Sequence, residues 1–339
     1  MRFMLHDCPD NCTIKGRKGD DKMRHIFVIN PKAGKEKNRQ KFEAQILAAG
    51  EKLNKKVEIY ETKSAGDAED FVRRTCEAKD PDEVIRFYAC GGDGAVHEIA
   101  NGIYGFENAE IGCVPMGTGN DFIRNFGTAK QFLDIEAQLM GESVDTDVIR
   151  YVERREGVDC KERYCMNMIN IGFDCNVADL TATAKTWPLV NGSFAYLISV
   201  FIMLIKKEGA NLRVEFDDGE VYDDKLLLMT AANGCFCGGG WKSNPVAEIN
   251  DGIMDIGLIK DIPRRKFPGL LPKYQKGTHF DYKGIEDILI YKKAKKLTIY
   301  VNGGDVRICT DGEITRAKKV TLEMVPGAVK FAVPQGAGK

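Results

Sequence analysis

The chain has 339 residues, of which 43% are hydrophobic and 29% are charged, and its formal net charge is −1. This length is typical of two domains that each bury a core, and the near-zero charge excludes an overall field that would attract nucleic acid or an anionic membrane. The eleven cysteines include no C-x2-C pair. This spacing argues against a zinc site or a disulfide framework and favours a cytoplasmic protein.

The first 22 residues are polar and contain no apolar stretch, so we predict a disordered extension at 1–22 and no signal peptide. Met23 stands directly before the first predicted strand and is an alternative start of translation. The longest apolar run, residues 194–205, is too short to span a bilayer. It predicts a buried helix, with the wall of an acyl-chain cleft as the alternative.

Strand-like and helix-like segments alternate through the first half of the chain. Strands are predicted at 25–30, 56–62, 84–90 and 110–114, and helices at 35–53, 67–78, 95–103, 121–126 and 129–140. This alternation is typical of an α/β domain in which helices cover both faces of a parallel sheet. We place this domain at residues 23–145.

Short β-rich runs separated by Asp-Gly and Asn-Gly turns dominate the second half of the chain. Strands are predicted at 164–171, 211–216, 225–232, 254–259, 287–291, 296–301, 306–310 and 320–325, with helical insertions at 191–207 and 264–269. The pattern predicts an antiparallel β-sandwich or barrel. We place this second domain at 146–318, and we expect residues 319–339 to return to the first domain.

Three turn-rich loops follow strands of the predicted parallel sheet, at 30–35, 91–94 and 115–122. The carboxyl ends of parallel strands lie at one edge of a sheet, where ligands bind. Glycines let the backbone approach a ligand closely, and the N–H groups at a helix N-terminus bind phosphate. Asp93 alone would repel phosphate, so its place in the second loop points to Mg²⁺ as well. None of the loops matches the P-loop or Rossmann pattern.

Two motifs in the second half carry carboxylates. Asp251 lies in a tight turn whose carbonyls suit a hard cation, with a metal-free hairpin as an equal alternative. Asp311 and Glu313 flank Gly312 and share one strand face. Two close carboxylates can bind a metal together, or one can act as a base while the other binds the metal. The alternative is a solvated hairpin turn without a catalytic role.

Together these motifs resemble the diacylglycerol kinase catalytic family, which includes bacterial soluble lipid kinases and, more distantly, sphingosine and ceramide kinases. The resemblance is carried by GGDGAVHEIANGI, MGTGNDFIRNFG, NIGFDCNV, NGCFCGGGWKSNPVAEINDGIMDI and LLPKYQKGTHF. It implies a nucleotide-binding α/β domain similar to those of NAD kinases and phosphofructokinases, then a β-sandwich, with the active site between them. It also implies that ATP and Mg²⁺ are used to phosphorylate the hydroxyl of diacylglycerol or a similar lipid at the membrane surface.

The resemblance also implies roles for individual residues. Asp93 and Asp121 would belong to a metal-and-water network at the phosphates, and Asp311 or Glu313 would act as the general base. A structural Mg²⁺ would be held by Asp251 together with the carbonyls of Glu248 and Ile253. The nucleotide site would be lined by Asn30, Pro31, Lys32, Ala33, Gly34, Thr62, Gly91, Gly92, Asp93, Gly94, Ala95, Val96, His97 and Thr118.

Two residues depart from the family pattern. Ala95 occupies the position of a threonine, and His97 stands where asparagine is usual. Because backbone N–H groups still cradle phosphate without the threonine hydroxyl, we predict slower or weaker catalysis and not a dead site. The alternatives are an NAD kinase-like enzyme, since that class also uses GGDG turns, and a non-catalytic nucleotide- or lipid-binding regulator. The lipid acceptor and the oligomeric state, a homodimer included, stay open.

Overall fold

The computed structural model describes residues 23–31, 36–172 and 209–338. The predictions for residues 1–22, for Lys32, Ala33 and Gly34, and for the apolar run at 194–205 therefore lie outside the described residues. Within the described ranges no helix has the length and apolar character needed to cross a membrane. The helices are α1 Glu36–Leu53, α2 Asp67–Ala78, α3 Asp93–Ile103, α4 Ala129–Phe132, α5 Ile135–Leu139 and α6 Phe267–Lys276.

The N-terminal part is built on parallel strands, as predicted. The strands are β1 Met23–Ile29, β2 Lys56–Glu61, β3 Val84–Gly91 and β4 Ala109–Pro115. Strand β1 pairs in parallel with β2 and β3, and β3 pairs in parallel with β4, which gives the order β2-β1-β3-β4. Separate hydrophobic clusters lie on the two faces, one including Val72 of α2 and Ile99 of α3, the other including Ile46 of α1. The parallel α/β fold is confirmed.

The C-terminal part is predominantly antiparallel. Its strands are β5 Glu142–Arg155, β6 Val158–Asp159, β7 Arg163–Cys165, β8 Met168–Gly172, β9 Ala210–Phe216, β10 Val221–Ala232, β11 Met254–Lys260, β12 Leu289–Ala294, β13 Lys296–Val301, β14 Val306–Thr310, β15 Glu313–Ala317 and β16 Lys319–Val333. The order β15-β14-β8-β10-β9-β13-β16 runs through it. Alternate residues such as Leu212 and Val214 of β9 point into one apolar interior, as expected for a sandwich.

Two long strands join the two parts. Strands β5 and β16 pair along most of their lengths, and β16 also pairs in parallel with β4 through Lys330 and Phe331. The sheet is therefore continuous from β2 to β15. The predicted boundary at 145/146 falls inside β5, and the one at 318/319 falls directly before β16.

Two predicted elements are interrupted in the structure. The helix predicted at 129–140 is divided into α4 and α5, because the Asp134 carboxylate accepts the amide of Ala137 at 3.0 Å and caps a new helix. The strand predicted at 164–171 is divided into β7 and β8. The residues between them turn their amides towards a carboxylate of the candidate active site.

Candidate active site

The glycine-rich loops after β3 and β4 contact each other directly. The carbonyl oxygen of Gly91 accepts the amides of Met116 (2.8 Å) and Gly117 (3.2 Å). A Cβ on Gly117 would lie only 2.5 Å from the Cα of Gly92, so this approach requires glycine. The predicted meeting of these two loops at one sheet edge is present in the structure.

Asp93 lies where these loops meet the first turn of α3. Its Oδ1 accepts the amides of Asp121 (2.8 Å) and Phe122 (3.2 Å), which fixes the second loop to the helix. Its Oδ2 faces Gly119, whose added Cβ would lie 2.7 Å from that oxygen. Desolvation and the neighbouring charge of Asp121 raise the pKa of Asp93 to about 6. Two close carboxylates of this kind repel each other unless a cation lies near them.

Asp121 connects the two parts of the chain. Its buried carboxylate accepts the amides of Gly239 at 2.9 Å and Gly240 at 2.6 Å, both from the loop after β10. The guanidinium of Arg124 lies 3.5 Å from the same carboxylate. Desolvation raises the pKa of Asp121, although the two amides oppose it. Asp121 therefore anchors the glycine-rich loop that follows β10 to the loop that follows β4.

Asp311 has its carboxylate buried under five donors. Its backbone φ is +49°, a left-handed conformation that turns the chain sharply between β14 and β15. Desolvation opposes ionisation, but the donors outweigh it and hold the pKa of Asp311 below its ordinary value. The donors are the Nδ1–H of His97 (3.0 Å), the amides of Met166 (2.8 Å), Asn167 (3.0 Å) and Met168 (3.2 Å), and the thiol of Cys165 (3.1 Å).

The Asp311 turn contacts helix α3 at two points. His97 binds Asp311, and a Cβ added to Gly94 would lie 2.9 Å from Oε1 of the exposed Glu313. Residues from the far end of the chain therefore lie beside the glycine-rich loop that carries Asp93. All four predicted catalytic residues belong to one continuous region between the two parts of the chain.

The remaining predicted nucleotide-site residues have different surroundings. Asn30 is exposed at the end of β1, where the amide of Thr62 donates to the carbonyl of Ile29 at 2.9 Å, and the carbonyl of Pro31 accepts Arg39 at 3.2 Å. Thr118 is exposed in the loop after β4, and Ala95 lies against Gly91. Val96, by contrast, is packed into the hydrophobic core.

The predicted structural metal turn is tied to its surroundings by hydrogen bonds. The Asp251 carboxylate accepts Lys293 Nζ at 2.8 Å and the amide of Ile253 at 3.1 Å, and Glu248 lies three residues before it. The amide of Gly252 donates at 2.6 Å to the buried carboxylate of Asp147. Across the described part of the chain, no group of three or more His, Cys, Asp or Glu side chains is placed to hold a metal.

Several residues of this region were not predicted from the sequence. The amides of Gly239 and Gly240 are partners of Asp121, and the side chain of Asn233 donates to the carbonyls of Asp147 and Met166 at 2.8 Å each. Asp147 itself bridges the amides of Gly252 and Gly327. The run of glycines at 238–240 is a sequence signal that could have indicated a loop whose amides bind a carboxylate. The roles of Asn233 and Asp147 depend on long-range contacts that leave no local pattern in the sequence.

Comparisons with known proteins agree with this architecture. A model of the diacylglycerol kinase catalytic domain matches residues 24–151, and a model of the YegS C-terminal NAD kinase beta sandwich-like domain matches residues 167–333. Among solved structures, a putative diacylglycerol kinase from Bacillus anthracis superposes with a TM-score of 0.67 at 22% identity, covering 93% of this chain and 98% of that one. At this identity the likeness supports the fold.

Curated relatives match over most of their length. A diacylglycerol kinase of Staphylococcus saprophyticus is 28% identical over 291 residues, which is 86% of this chain and 88% of the relative. A diacylglycerol kinase of Bacillus subtilis is 27% identical over 292 residues, again 86% of this chain and 89% of the relative. Because the two models match consecutive parts of one chain, the chain belongs to the diacylglycerol kinase catalytic family.

Proposed function

We propose that this chain is a lipid kinase that transfers the γ-phosphoryl group of ATP to the hydroxyl of diacylglycerol or a similar lipid, with Mg²⁺. The observation that carries the proposal is the contact between the Asp93 loop and the Asp311 turn through His97 and Gly94. Phosphoryl transfer requires alignment, charge neutralisation and a proton acceptor, and little covalent chemistry from the protein. The Asp93 loop and the Asp311 turn would together meet these three requirements.

The two glycine-rich loops suit a polyphosphate. Gly92 caps α3 without a side-chain hydrogen bond, so the first amides of the helix face outward with the positive end of its dipole. Side chains are absent where Gly92 and Gly117 meet, which leaves the backbone open to a close approach. In the proposal Gly91, Gly92, Gly94 and Thr118 hold the phosphates, and the loop after β1 contributes to the nucleotide site.

The carboxylates beside these loops suit Mg²⁺. Asp93 and Asp121 are hard oxygen donors whose pKa values are both raised by desolvation, so a divalent cation would relieve an unfavourable charge arrangement. Asp93 would hold the ion, with Asp121 supporting it beside Gly239 and Gly240. The bound ion would neutralise charge on the phosphates. The Asp251 turn is proposed as a separate, structural cation position.

Proton removal from the lipid hydroxyl is assigned to the region of the Asp311 turn. Asp311 or Glu313 would act as the general base, as the family resemblance implies. The acceptor must come from a membrane, so we propose that the enzyme is cytoplasmic and contacts the membrane surface. The identity of the lipid is a question for experiment.

Incubation with γ-labelled ATP, Mg²⁺ and a total lipid extract tests the proposal. We expect one labelled lipid, identified by chromatography and mass spectrometry, and no label when Mg²⁺ is chelated. A protein that binds ATP but labels no lipid would contradict the proposal and support a non-catalytic regulator.

An NAD kinase is the second candidate, because the matched C-terminal model is named for its likeness to NAD kinase. The same incubation with NAD in place of lipid separates the two. Labelled NADP without labelled lipid would favour this second candidate.

A further inference from the structure

Asn233 is the first residue after β10, and it is fully buried. Its Nδ2 lies 2.8 Å from the carbonyl oxygen of Asp147 and 2.8 Å from that of Met166. Because carbonyl oxygens only accept, these two bonds use both N–H groups of the side-chain amide. The Oδ1 of Asn233 has no hydrogen-bond partner among the described residues, so within them the side chain serves to join these two carbonyls.

Met166 and Asn167 each face the Asp311 carboxylate on one side and the loop after β10 on the other. The amide of Met166 donates to Asp311 at 2.8 Å, and its carbonyl accepts Nδ2 of Asn233. The amide of Asn167 donates to Asp311 at 3.0 Å. The carbonyl of Asn167 accepts the backbone amides of Asn233 at 2.8 Å and Gly234 at 3.0 Å. The loop that begins at Asn233 therefore holds the peptide groups that bind Asp311.

Strand pairing does not fix these peptide groups, because Met166 and Asn167 lie between β7 and β8. Asp147, the other partner of the Asn233 side chain, belongs to β5, and its buried carboxylate accepts two backbone amides. Asp147 is thus a fixed point to which Asn233 ties Met166. Without the Nδ2 donor both buried carbonyls would lose a hydrogen bond, which is costly, and Met166 would be the residue that moves. Its movement would withdraw an amide from Asp311.

We propose that Asn233 is a positioning residue for the phosphoryl transfer described above. It holds Met166 in the orientation in which the Met166 amide keeps the Asp311 carboxylate in place within the turn between β14 and β15. The proposal rests on the proposed function, in which this turn accepts the proton of the lipid hydroxyl. Asn233 acts through Met166 and Asp311 and takes no part in the chemistry itself. Its loss should therefore slow transfer more than it weakens nucleotide binding.

Asn233→Leu tests this role, because leucine has nearly the same shape and cannot donate a hydrogen bond. We expect kcat for lipid phosphorylation to fall about 10- to 100-fold, with the KM for ATP changed less than about threefold. This split distinguishes a misplaced carboxylate from a general loosening of the nucleotide site. If the leucine variant does not fold, Asn233→Ser takes its place, since one hydroxyl cannot donate to both carbonyls.

Asn244→Leu is the matched control. Asn244 is also buried, and its Nδ2 donates to the carbonyl of Asp255 at 3.2 Å. Asp255 belongs to β11, and none of the five donors described for Asp311 comes from that strand. Asn244→Leu should therefore lower the melting temperature, as Asn233→Leu does, but keep kcat within about threefold of wild type.

A double-mutant cycle shows whether Asn233 acts through Asp311. Once Asp311→Ala has removed the carboxylate, Asn233→Leu should lower single-turnover transfer by less than about threefold more, because no carboxylate is left to position. The same loss from Asn233→Leu in both backgrounds, an unchanged kcat in the folded single variant, or an equal loss of kcat in Asn244→Leu would overturn the proposal. Failure of wild type to label any lipid would instead overturn the proposed function itself.

Discussion

A methyl group added at the contact of the two glycine-rich loops should separate them and slow phosphoryl transfer. In Gly117→Ala the new Cβ would lie 2.5 Å from the Cα of Gly92, whereas carbon atoms prefer about 3.5 Å or more. The loop carrying Asp121 must therefore move by about 1 Å relative to the loop carrying Asp93. A misplacement of this size costs about 100-fold, or about 2.7 kcal/mol of activation free energy.

Gly92, on the other side of the contact with Gly117, provides the control for the added methyl group. In Gly92→Ala the new Cβ would lie 3.3 Å from the Cα of Gly117, so a shift of a few tenths of an ångström relieves it. The φ of Gly92 is −102°, which alanine also adopts. Steady-state kcat/KM for ATP, with melting temperatures to confirm folding, should rank wild type, Gly92→Ala and Gly117→Ala in falling order. A Gly117→Ala enzyme as active as Gly92→Ala would show that the close contact of the two loops is not needed for phosphoryl transfer.

Three further changes have expected outcomes. Ala95→Thr restores a hydroxyl near the phosphates and should raise kcat or lower the KM for ATP about twofold or more in the labelling assay. Burial lowers the pKa of His279 from 6.5 to about 4, so the unfolded chain takes up a proton at this residue before the folded chain does as pH falls. The free energy of unfolding, measured with urea, should therefore fall by about 3 kcal/mol between about pH 6.5 and 4. His279→Gln should lack this loss. Glu110→Ala removes the carboxylate that lies 2.8 Å from the guanidinium of the buried Arg86, and it should lower the free energy of unfolding by about 3–5 kcal/mol in the same urea measurement. The double variant Glu110→Leu with Arg86→Met leaves no unpaired charge and should recover much of that free energy.

The parallel half of the fold was predictable because its signals are local. Helix α2 begins and ends at the predicted residues, with Val72 and Cys76 buried on its apolar stripe. The positions of the glycine-rich loops follow from their place after apolar strands, and the common sheet edge brings them together. The predicted strand at 287–291 instead lies at Leu289–Ala294, a shift set by its pairing with β11.

The parts that sequence could not predict depend on contacts between distant residues. The break between β7 and β8 exists because Asp311, more than 140 residues later, accepts the amides between them. The sequence made Asp121 a candidate functional carboxylate, but its partners Gly239 and Gly240 come from a distant loop after β10 and could not be predicted. The departure at His97 was visible in the sequence, whereas its pairing with Asp311 required the fold.

In the proposed function, the Asp311 turn and the glycine-rich loops form one reaction centre with separable tasks. ATP affinity by calorimetry and single-turnover label transfer, both measured on wild type and Asp311→Asn, test this most directly. We predict that Asp311→Asn binds ATP within about threefold of wild type while transfer to lipid falls about 1,000-fold or more, because a carboxylate of the turn that is proposed to accept the proton is lost. Wild-type transfer by a folded Asp311→Asn protein, or a parallel loss of ATP affinity, would contradict this division of tasks.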